Sequence, residues 1–331
     1  RPALHPAERE EARVLARAHV LDLRCTSDAI EVVNARGRVV EDAADDVELH
    51  IHPGGQGVWQ ARLITALDVS VTLCACAGGE IGRVLERLIA DEGVTLRVVQ
   101  GDTATGWYVH DRRDGERVEI AEHPGQPLTR HDIDELYGMA LAEGLRADIC
   151  VLSGPAEPSV VPPDIYRRLA ADLTNNGARV VADLSGDHLT AVCEGGLFLV
   201  KVSHEELIND GRAENDSDEG IVAAMRKLRE EGAESAVVTR ADSSSLALLD
   251  GEVFEVTAPK LEAADTRGAG DSLTAGVTAV LAKGGDLTDA IRTGAAAGAI
   301  NVTRHGLGEG RADAIAELIP RVRVEPFKRG E

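Results

Sequence analysis

Short apolar runs alternate with amphipathic segments along most of the chain. The runs have the length and β-branched content of buried strands, and they lie at 20–25, 69–75, 95–99, 148–152, 179–182, 197–201 and 235–239. The segments between them have helical spacing, with the longest at 130–143, 219–231 and 271–282. This alternation predicts an α/β fold in which a largely parallel central sheet has helices on both faces. A ligand site is then expected at the carboxyl ends of the strands.

Two stretches depart from this rhythm. Residues at about 29–51 and 100–121 alternate apolar with polar positions, which predicts half-exposed strands that pack together as a small β lid. Residues 6–18 combine helical spacing with mixed charge, and we expect an extra N-terminal helix there. Without internal repeats or a long linker, residues 1–331 are expected to form one domain.

Composition narrows the classes of function. The formal net charge of -22 argues against nucleic acid and anionic membranes as partners, because phosphate groups would be repelled. No apolar run has transmembrane length. The 5 cysteines are odd in number and lie mostly inside apolar runs, which predicts reduced thiols and a cytoplasmic location. We therefore expect candidate catalytic and binding residues in the loops at the strand ends.

The most informative loop is Asp-Thr-Arg-Gly-Ala-Gly-Asp at 265–271, which opens a small-residue segment predicted as helix. Such a helix start leaves N–H groups without helical partners, and the helix dipole adds positive potential, so the turn can hold phosphate. Asp271 stands beside that anion hole. A carboxylate there makes sense if it takes the proton of a hydroxyl that attacks the phosphate. The plainer alternative is an ordinary acidic first turn of a helix.

A second glycine cluster opens a helix predicted from Gly54 to about Ala66. Gly54 and Gly55 allow close approach of a ligand, for which a sugar is the candidate, and Gln56 and Trp59 follow on the helix. Asp28, after the first strand, is a further candidate for sugar binding, with Glu31 as an alternative. Taken alone, the plainer readings are favoured: an ordinary loop before a helix for the glycine cluster, and an exposed loop acid for Asp28 or Glu31.

Together these motifs resemble the PfkB-type, ribokinase-like carbohydrate kinases, closest to the branch with 1-phosphofructokinase and tagatose-6-phosphate kinase. Three further segments carry the likeness in the right order: Ser153-Gly154-Pro155, Asp183-Leu184-Ser185-Gly186 and the Lys201–Leu207 stretch. The resemblance implies a ribokinase-like fold, ATP and Mg²⁺. It leaves a requirement for a monovalent cation open.

The resemblance also implies roles for individual residues. Asp271 would be the general base, with the amides of Gly268, Ala269 and Gly270 around the transferred phosphoryl group. Glu206 would act on the Mg²⁺–phosphate cluster. The implied nucleotide contacts are Thr239, Ala241, Ser244, Thr266 and Asn301.

Several positions depart from the family pattern. Gln56 and Trp59 stand where the family has Lys and Asn, and Ser203 replaces another Asn. Ala241 and Ser244 replace glycines. Ala104 and Gly106 replace the Arg and Asn with which phosphosugar-using members meet the substrate's own phosphate. With two cationic contacts missing, we expect a neutral or differently placed polyol as acceptor, unless an arginine such as Arg62 compensates.

Three functions follow from these residues. The first is ATP-dependent phosphoryl transfer to a hydroxyl of a sugar or sugar phosphate. The second, motivated by the departures, is a non-catalytic ligand-binding regulator on the same fold. The third is a nucleoside kinase, which the 2% aromatic content disfavours. The apolar residues of the lid strands favour a homodimer through the lid.

Overall fold

The structure is a computed structural model of the chain, and it describes residues 11–15, 20–26, 48–111, 118–155, 157–241, 243–303 and 310–328. The strands, in chain order, are β1 Glu11–Leu15, β2 Val20–Thr26, β3 Glu48–Gly54, β4 Ser70–Ala77, β5 Thr95–Gln100, β6 Trp107–Asp111, β7 Val118–His123, β8 Ile149–Ser153, β9 Arg179–Asp183, β10 Leu197–Ser203, β11 Ala233–Thr239, β12 Ser245–Leu249, β13 Glu252–Thr257 and β14 Arg323–Pro326. The helices are α1 Gln56–Ala66, α2 Gly79–Ala90, α3 Arg130–Gly144, α4 Pro163–Asn175, α5 Gly186–Gly195, α6 His204–Asn209, α7 Asp218–Glu231, α8 Ala269–Ala282, α9 Leu287–Asn301 and α10 Ala312–Leu318.

The main sheet has 10 strands in the order β14-β13-β12-β11-β10-β9-β8-β1-β4-β5. Within this order, neighbouring strands pair in parallel from β11 through β10, β9, β8, β1 and β4 to β5. At the other end, β12, β13 and β14 extend the sheet in the antiparallel sense. The order reverses at β1, with β4 on one side and β8 on the other. A doubly wound sheet opens a crevice at such a reversal, beyond the carboxyl ends of its strands.

Helices cover both faces of this sheet, as the alternating pattern predicts. One apolar core joins the sheet to α1, α2, α8, α9 and α10, through side chains such as Ile64, Val277 and Ile291. The other core joins it to α3, α4, α5 and α7, through side chains such as Leu169 and Leu228. Because both faces are covered, the central strands are apolar along nearly their whole length. None of the described helices is both long and apolar enough to cross a membrane.

A second sheet of 4 strands has the order β3-β2-β6-β7. Its β3, β6 and β7 overlap the two stretches predicted to form a lid. The fourth member, β2, covers the run at 20–25 that the apolar pattern assigns to the main sheet, and this assignment is wrong. β2 pairs with β3 from Val20↔Gly54 to Thr26↔Glu48, so the second sheet leads straight into the glycine cluster before α1.

The predicted N-terminal helix at 6–18 is also wrong where the structure describes it. Glu11–Leu15 is β1, a central strand whose Val14 pairs with Leu73 on one side and Val151 on the other. Helical spacing is a local preference, whereas a strand between two neighbours gains ladder hydrogen bonds on both edges. Tertiary pairing overrides the local pattern here.

Candidate active site

Polar side chains collect where the neighbouring strands β8 to β11 end. Ser153 at the end of β8 is in register with Asp183 at the end of β9, and Asp183 is in register with Lys201 of β10. Ser203 and Thr239 end the next pair, β10 and β11, in register. The carboxyl edge of the parallel strands therefore carries a row of groups able to bind or move protons.

Helix α8 begins against this row with a left-handed residue, Gly268, at φ 71°. The first helical hydrogen bond runs from the Ser272 N–H to the Gly268 carbonyl over 2.9 Å. The N–H groups of Ala269, Gly270 and Asp271 precede it and have no carbonyl a turn earlier within the helix. This end of the helix is thus a set of converging donors with a favourable dipole for an anion.

Gly270 lies directly against the Lys201 ammonium. A Cβ at position 270 would come within 2.8 Å of Lys201 Cε and closer still to Nζ, so a side chain there would displace the lysine. The glycine turn therefore places a cation beside the first-turn N–H groups. Any anion held by those groups is within reach of a full positive charge.

Asp183 is the hub of the cluster. It is 3% exposed and accepts three hydrogen bonds: from Lys201 Nζ at 3.0 Å, Thr274 Oγ1 at 2.8 Å and Gln60 Nε2 at 3.1 Å. Burial lowers the pKa of Lys201, but the negative charges of Asp183, Glu206 and Asp271 outweigh it and raise that pKa above its usual range. Lys201 is therefore held as an ammonium in the interior.

Asp271, in the first turn of α8, is 8% exposed. Burial and then the negative charge of Asp183 raise the pKa of Asp271 to about 7, while Lys201 and the amides of Gln56 and Gln60 act in the opposite direction. A carboxylate with a pKa near neutrality is well matched to accept a proton from an alcohol. The site thus has a base, a cation and a set of N–H donors on one edge of the sheet.

The two glutamines come from α1, one turn apart. Gln56 Oε1 accepts the Gly154 N–H at 2.8 Å, and Gln60 Oε1 accepts the hydroxyl of Ser153. Gly54 and Gly55 precede them, and Gly55 has φ 106°, which a side chain would strain. Trp59, on the same helix, is half-buried.

Glu206, which the resemblance predicts to act on the Mg²⁺–phosphate cluster, lies in the first turn of α6. Ser203 and Glu206 form a reciprocal cap at the start of α6, in which Glu206 Oε2 accepts the Ser203 N–H at 2.7 Å. The half-buried Glu206 is close enough to influence the pKa of Lys201. Among the described residues, no group of three or more His, Cys, Asp or Glu side chains is arranged to hold a metal ion.

The other predicted nucleotide contacts lie around the same edge. Thr239 offers its carbonyl to the His204 ring at 3.3 Å, Ala241 follows with a positive φ of 28°, and the Ser244 hydroxyl meets Thr257 at 3.1 Å. Asn301 Nδ2 donates to the Arg267 carbonyl at 2.6 Å, which ties α9 to the glycine turn. Exposed Thr266 belongs to that turn. Asp28 and Glu31 are outside the described residues.

Sequence reasoning assigned no role to several residues of the cluster. Lys201 was detectable, because a lysine inside the apolar run Leu197–Val202 can be buried only with a carboxylate partner. Asp183 sits in a matched segment and could have been named as that partner. Gln60 and Thr274 leave no local signal that would predict their meeting at Asp183, and no local signal predicts the bond from Ser153 to Gln60.

Comparisons with known proteins show the family of the chain. A family model described as pfkB family carbohydrate kinase matches residues 23–314. The 1-phosphofructokinase of Bacillus subtilis is 31% identical over 276 residues, covering 82% of this chain and 88% of that protein. The ATP-dependent 6-phosphofructokinase isozyme 2 of Escherichia coli is 30% identical over 258 residues, covering 77% and 82% respectively.

A crystal structure of phosphofructokinase-2 from Escherichia coli in complex with potassium superposes with a TM-score of 0.80 at 26% identity, covering 94% of this chain and 98% of that one. These similarities support the carbohydrate kinase predicted from the sequence. They give no support to the non-catalytic regulator or to the nucleoside kinase.

Proposed function

We propose the following roles from one premise: the chain belongs to the pfkB family of carbohydrate kinases. It is an ATP-dependent kinase that transfers a phosphoryl group to a hydroxyl of a sugar or sugar phosphate. The observation that carries the roles is the meeting of Asp271, Lys201 and the start of α8 at one edge of the sheet.

Asp271 is the general base in this proposal. The acceptor hydroxyl passes its proton to the Asp271 carboxylate as its oxygen attacks the terminal phosphoryl group of ATP, and the bond between that phosphorus and the bridging oxygen breaks so that ADP leaves. The N–H groups of Ala269, Gly270 and Asp271 and the Lys201 ammonium stabilise the charge that develops on the phosphoryl oxygens. The pKa of about 7 suits this exchange, because Asp271 can take a proton and release it again near neutral pH.

Mg²⁺ fits this arrangement as an ion carried by the nucleotide phosphates. Glu206 would hold it through water, since one of its oxygens is committed to the Ser203 N–H and the side chain is only half-buried. The ion neutralises phosphate charge when bound. One observation suggests a requirement for a monovalent cation: the crystal of the Escherichia coli relative contains potassium. Comparing activity in potassium and in tetramethylammonium salts decides that point.

The acceptor we favour is a phosphorylated ketohexose, because the named relatives are phosphofructokinases. A neutral sugar is the second candidate, favoured by Gln56, Ala104 and Gly106 at positions where the family places Lys, Arg and Asn. Arg62 is a poor replacement for the missing Lys and Arg, because its Nε and Nη2 already donate to the two Glu92 oxygens, each at 2.8 Å. Measured kcat/KM for fructose 1-phosphate, fructose 6-phosphate and fructose separates the two candidates.

Asp271→Ala tests the base directly. Turnover should fall by roughly 10²–10⁴-fold, the range expected for a positioned base, while ATP binding is retained. ATP binding is measured by calorimetry on the same preparation. An Asp271→Ala protein with near-parental kcat would remove Asp271 from the chemistry.

A homodimer through the second sheet is part of the proposal. Three apolar side chains on its two edge strands are exposed: Ile51 at 38%, Val118 at 57% and Ile120 at 58%. Ile120→Glu should convert a dimer into a monomer in light scattering, and a monomeric parent protein would contradict the idea. The cytoplasmic location stays a prediction from the sequence.

A further inference from the structure

Helix α1 sends two amide side chains into the acidic cluster, and both are anchored in the same way. The oxygens of Gln56 and Gln60 accept hydrogen bonds from consecutive residues at the end of β8, the Gly154 N–H and the Ser153 hydroxyl. With its oxygen directed at a donor in β8, each amide has its NH₂ group on the other side, and only that group can donate to an acceptor. The end of β8 therefore decides which way both amides point.

The carboxylates receive these NH₂ groups. Gln60 Nε2 donates to Asp183 Oδ2 at 3.1 Å, and the amides of both glutamines act on Asp271 as donors that lower its pKa. A reversed Gln60 would bring its oxygen against the Asp183 carboxylate, which only accepts hydrogen bonds. The observed orientation is the one in which every polar atom of Gln60 has a complementary partner.

Gln60 is fully buried, at 0% exposure, on a helix whose neighbouring side chains Ala61 and Ile64 belong to the apolar core. A buried amide costs free energy unless it is fully hydrogen-bonded. An apolar residue would serve core packing equally well at this position. What the amide adds is its donation to Asp271 and to Asp183, the hub that also binds Lys201 and Thr274.

We propose that Gln60 is a positioning residue for phosphoryl transfer: its amide, oriented by Ser153, fixes the Asp183 carboxylate and through it the Lys201 ammonium beside Gly270. The inference rests on the proposed function of this cluster. It adds to that function Gln60, a residue for which the sequence analysis names no role. Without the Gln60 amide, the Asp183 carboxylate could rotate while bonded only to Lys201 and Thr274. Lys201 would then lose its fixed place against the glycine turn.

The test uses Gln60→Met, which keeps the length of the side chain and removes its hydrogen bonds. Losing one charge-assisted hydrogen bond should lower kcat by about 10- to 100-fold, with KM for ATP and for the sugar changed by less than about threefold. Ser153→Ala should lower kcat in the same direction. Because Ser153 acts through Gln60, the double variant should be no slower than Gln60→Met. Gln100→Met is the matched control, since Gln100 is exposed and its amide donates to the half-buried Glu86, at 2.7 Å.

Three results would overturn the inference. The first is a parental kcat for Gln60→Met, and the second is losses that simply add in the double variant. The third applies if Gln60→Met does not fold. A parental kcat for Ser153→Ala then refutes the role. Failure of the proposed function looks different, because there Asp271→Ala itself keeps its turnover.

Discussion

Replacing Asp271 by Asn should make the folded protein more stable at alkaline pH even though turnover is lost. Burial, assisted by the charge of Asp183, raises the pKa of Asp271 from 3.8 to about 7. An acid with a raised pKa in the folded state holds its proton more tightly there than in the unfolded chain. Its contribution to the free energy of unfolding therefore falls as the pH rises from about 4 to about 7, and stays low above that range.

The size of the effect follows from the shift. Moving a pKa from 3.8 to about 7 corresponds to about 4 kcal/mol. In a chain of this size each kcal/mol moves the Tm by about 2 °C. The Tm of Asp271→Asn can therefore exceed that of the parent protein by about 8 °C. Asn at position 271 carries no such penalty, because an amide has no proton to lose at these pH values.

The assay compares the Tm of the parent protein and Asp271→Asn, without ligands, from about pH 4 to about pH 8. All other carboxylates are shared, so their pH dependence cancels in the difference between the two curves. The gap should open between about pH 4 and pH 7 in favour of Asp271→Asn. Asp134→Asn is the control, because Asp134 is exposed and should produce no such gap. A constant gap, or a less stable Asp271→Asn at the alkaline end, would refute the reasoning.

Three further predictions concern the same cluster. Gln56→Lys adds a cation beside the proposed base, so the acid limb of the kcat profile should move to lower pH by about one unit or more, and an unchanged profile would contradict this. Lys201→Met leaves the buried Asp183 carboxylate without its cation, which should cost about 3–5 kcal/mol in urea unfolding; Lys201→Met combined with Asp183→Asn should recover most of that stability but not turnover. Gly270→Ala should displace the ammonium and lower kcat by at least about tenfold, whereas Gly138→Ala, where a Cβ meets nothing within 4 Å, should leave kcat unchanged.

Local signals in the sequence predicted most of the fold and the centre of the site. Thr129 and Asp132 form a reciprocal cap at the start of α3, and Asp286 caps α9 by accepting the Asp289 N–H at 2.8 Å. The glycine loop at 265–271 also opens a helix as predicted, α8 Ala269–Ala282. Each of these features depends on residues three or four positions apart, which is the range that a sequence pattern reports.

Contacts between distant segments could not be predicted in this way. β1 is a strand because β4 and β8 lie on either side of it, not because its own residues favour one. Arg62 was a candidate for a missing phosphate contact, yet its guanidinium is committed to Glu92, 30 residues further on. In both cases the partner decides the outcome, and the partner is visible only in the fold.

The hub at Asp183 also has a consequence for how the protein reaches its active state. Its partner Gln60 is 123 residues away in sequence, Thr274 is 91 residues away, and Ser153 meets Gln60 across 93 residues. Contacts between such remote segments form late, because long loops must close first. During synthesis, Gln60 leaves the ribosome long before Thr274 has been made. Recovery of turnover after dilution from denaturant should accordingly lag behind recovery of the helical signal in circular dichroism.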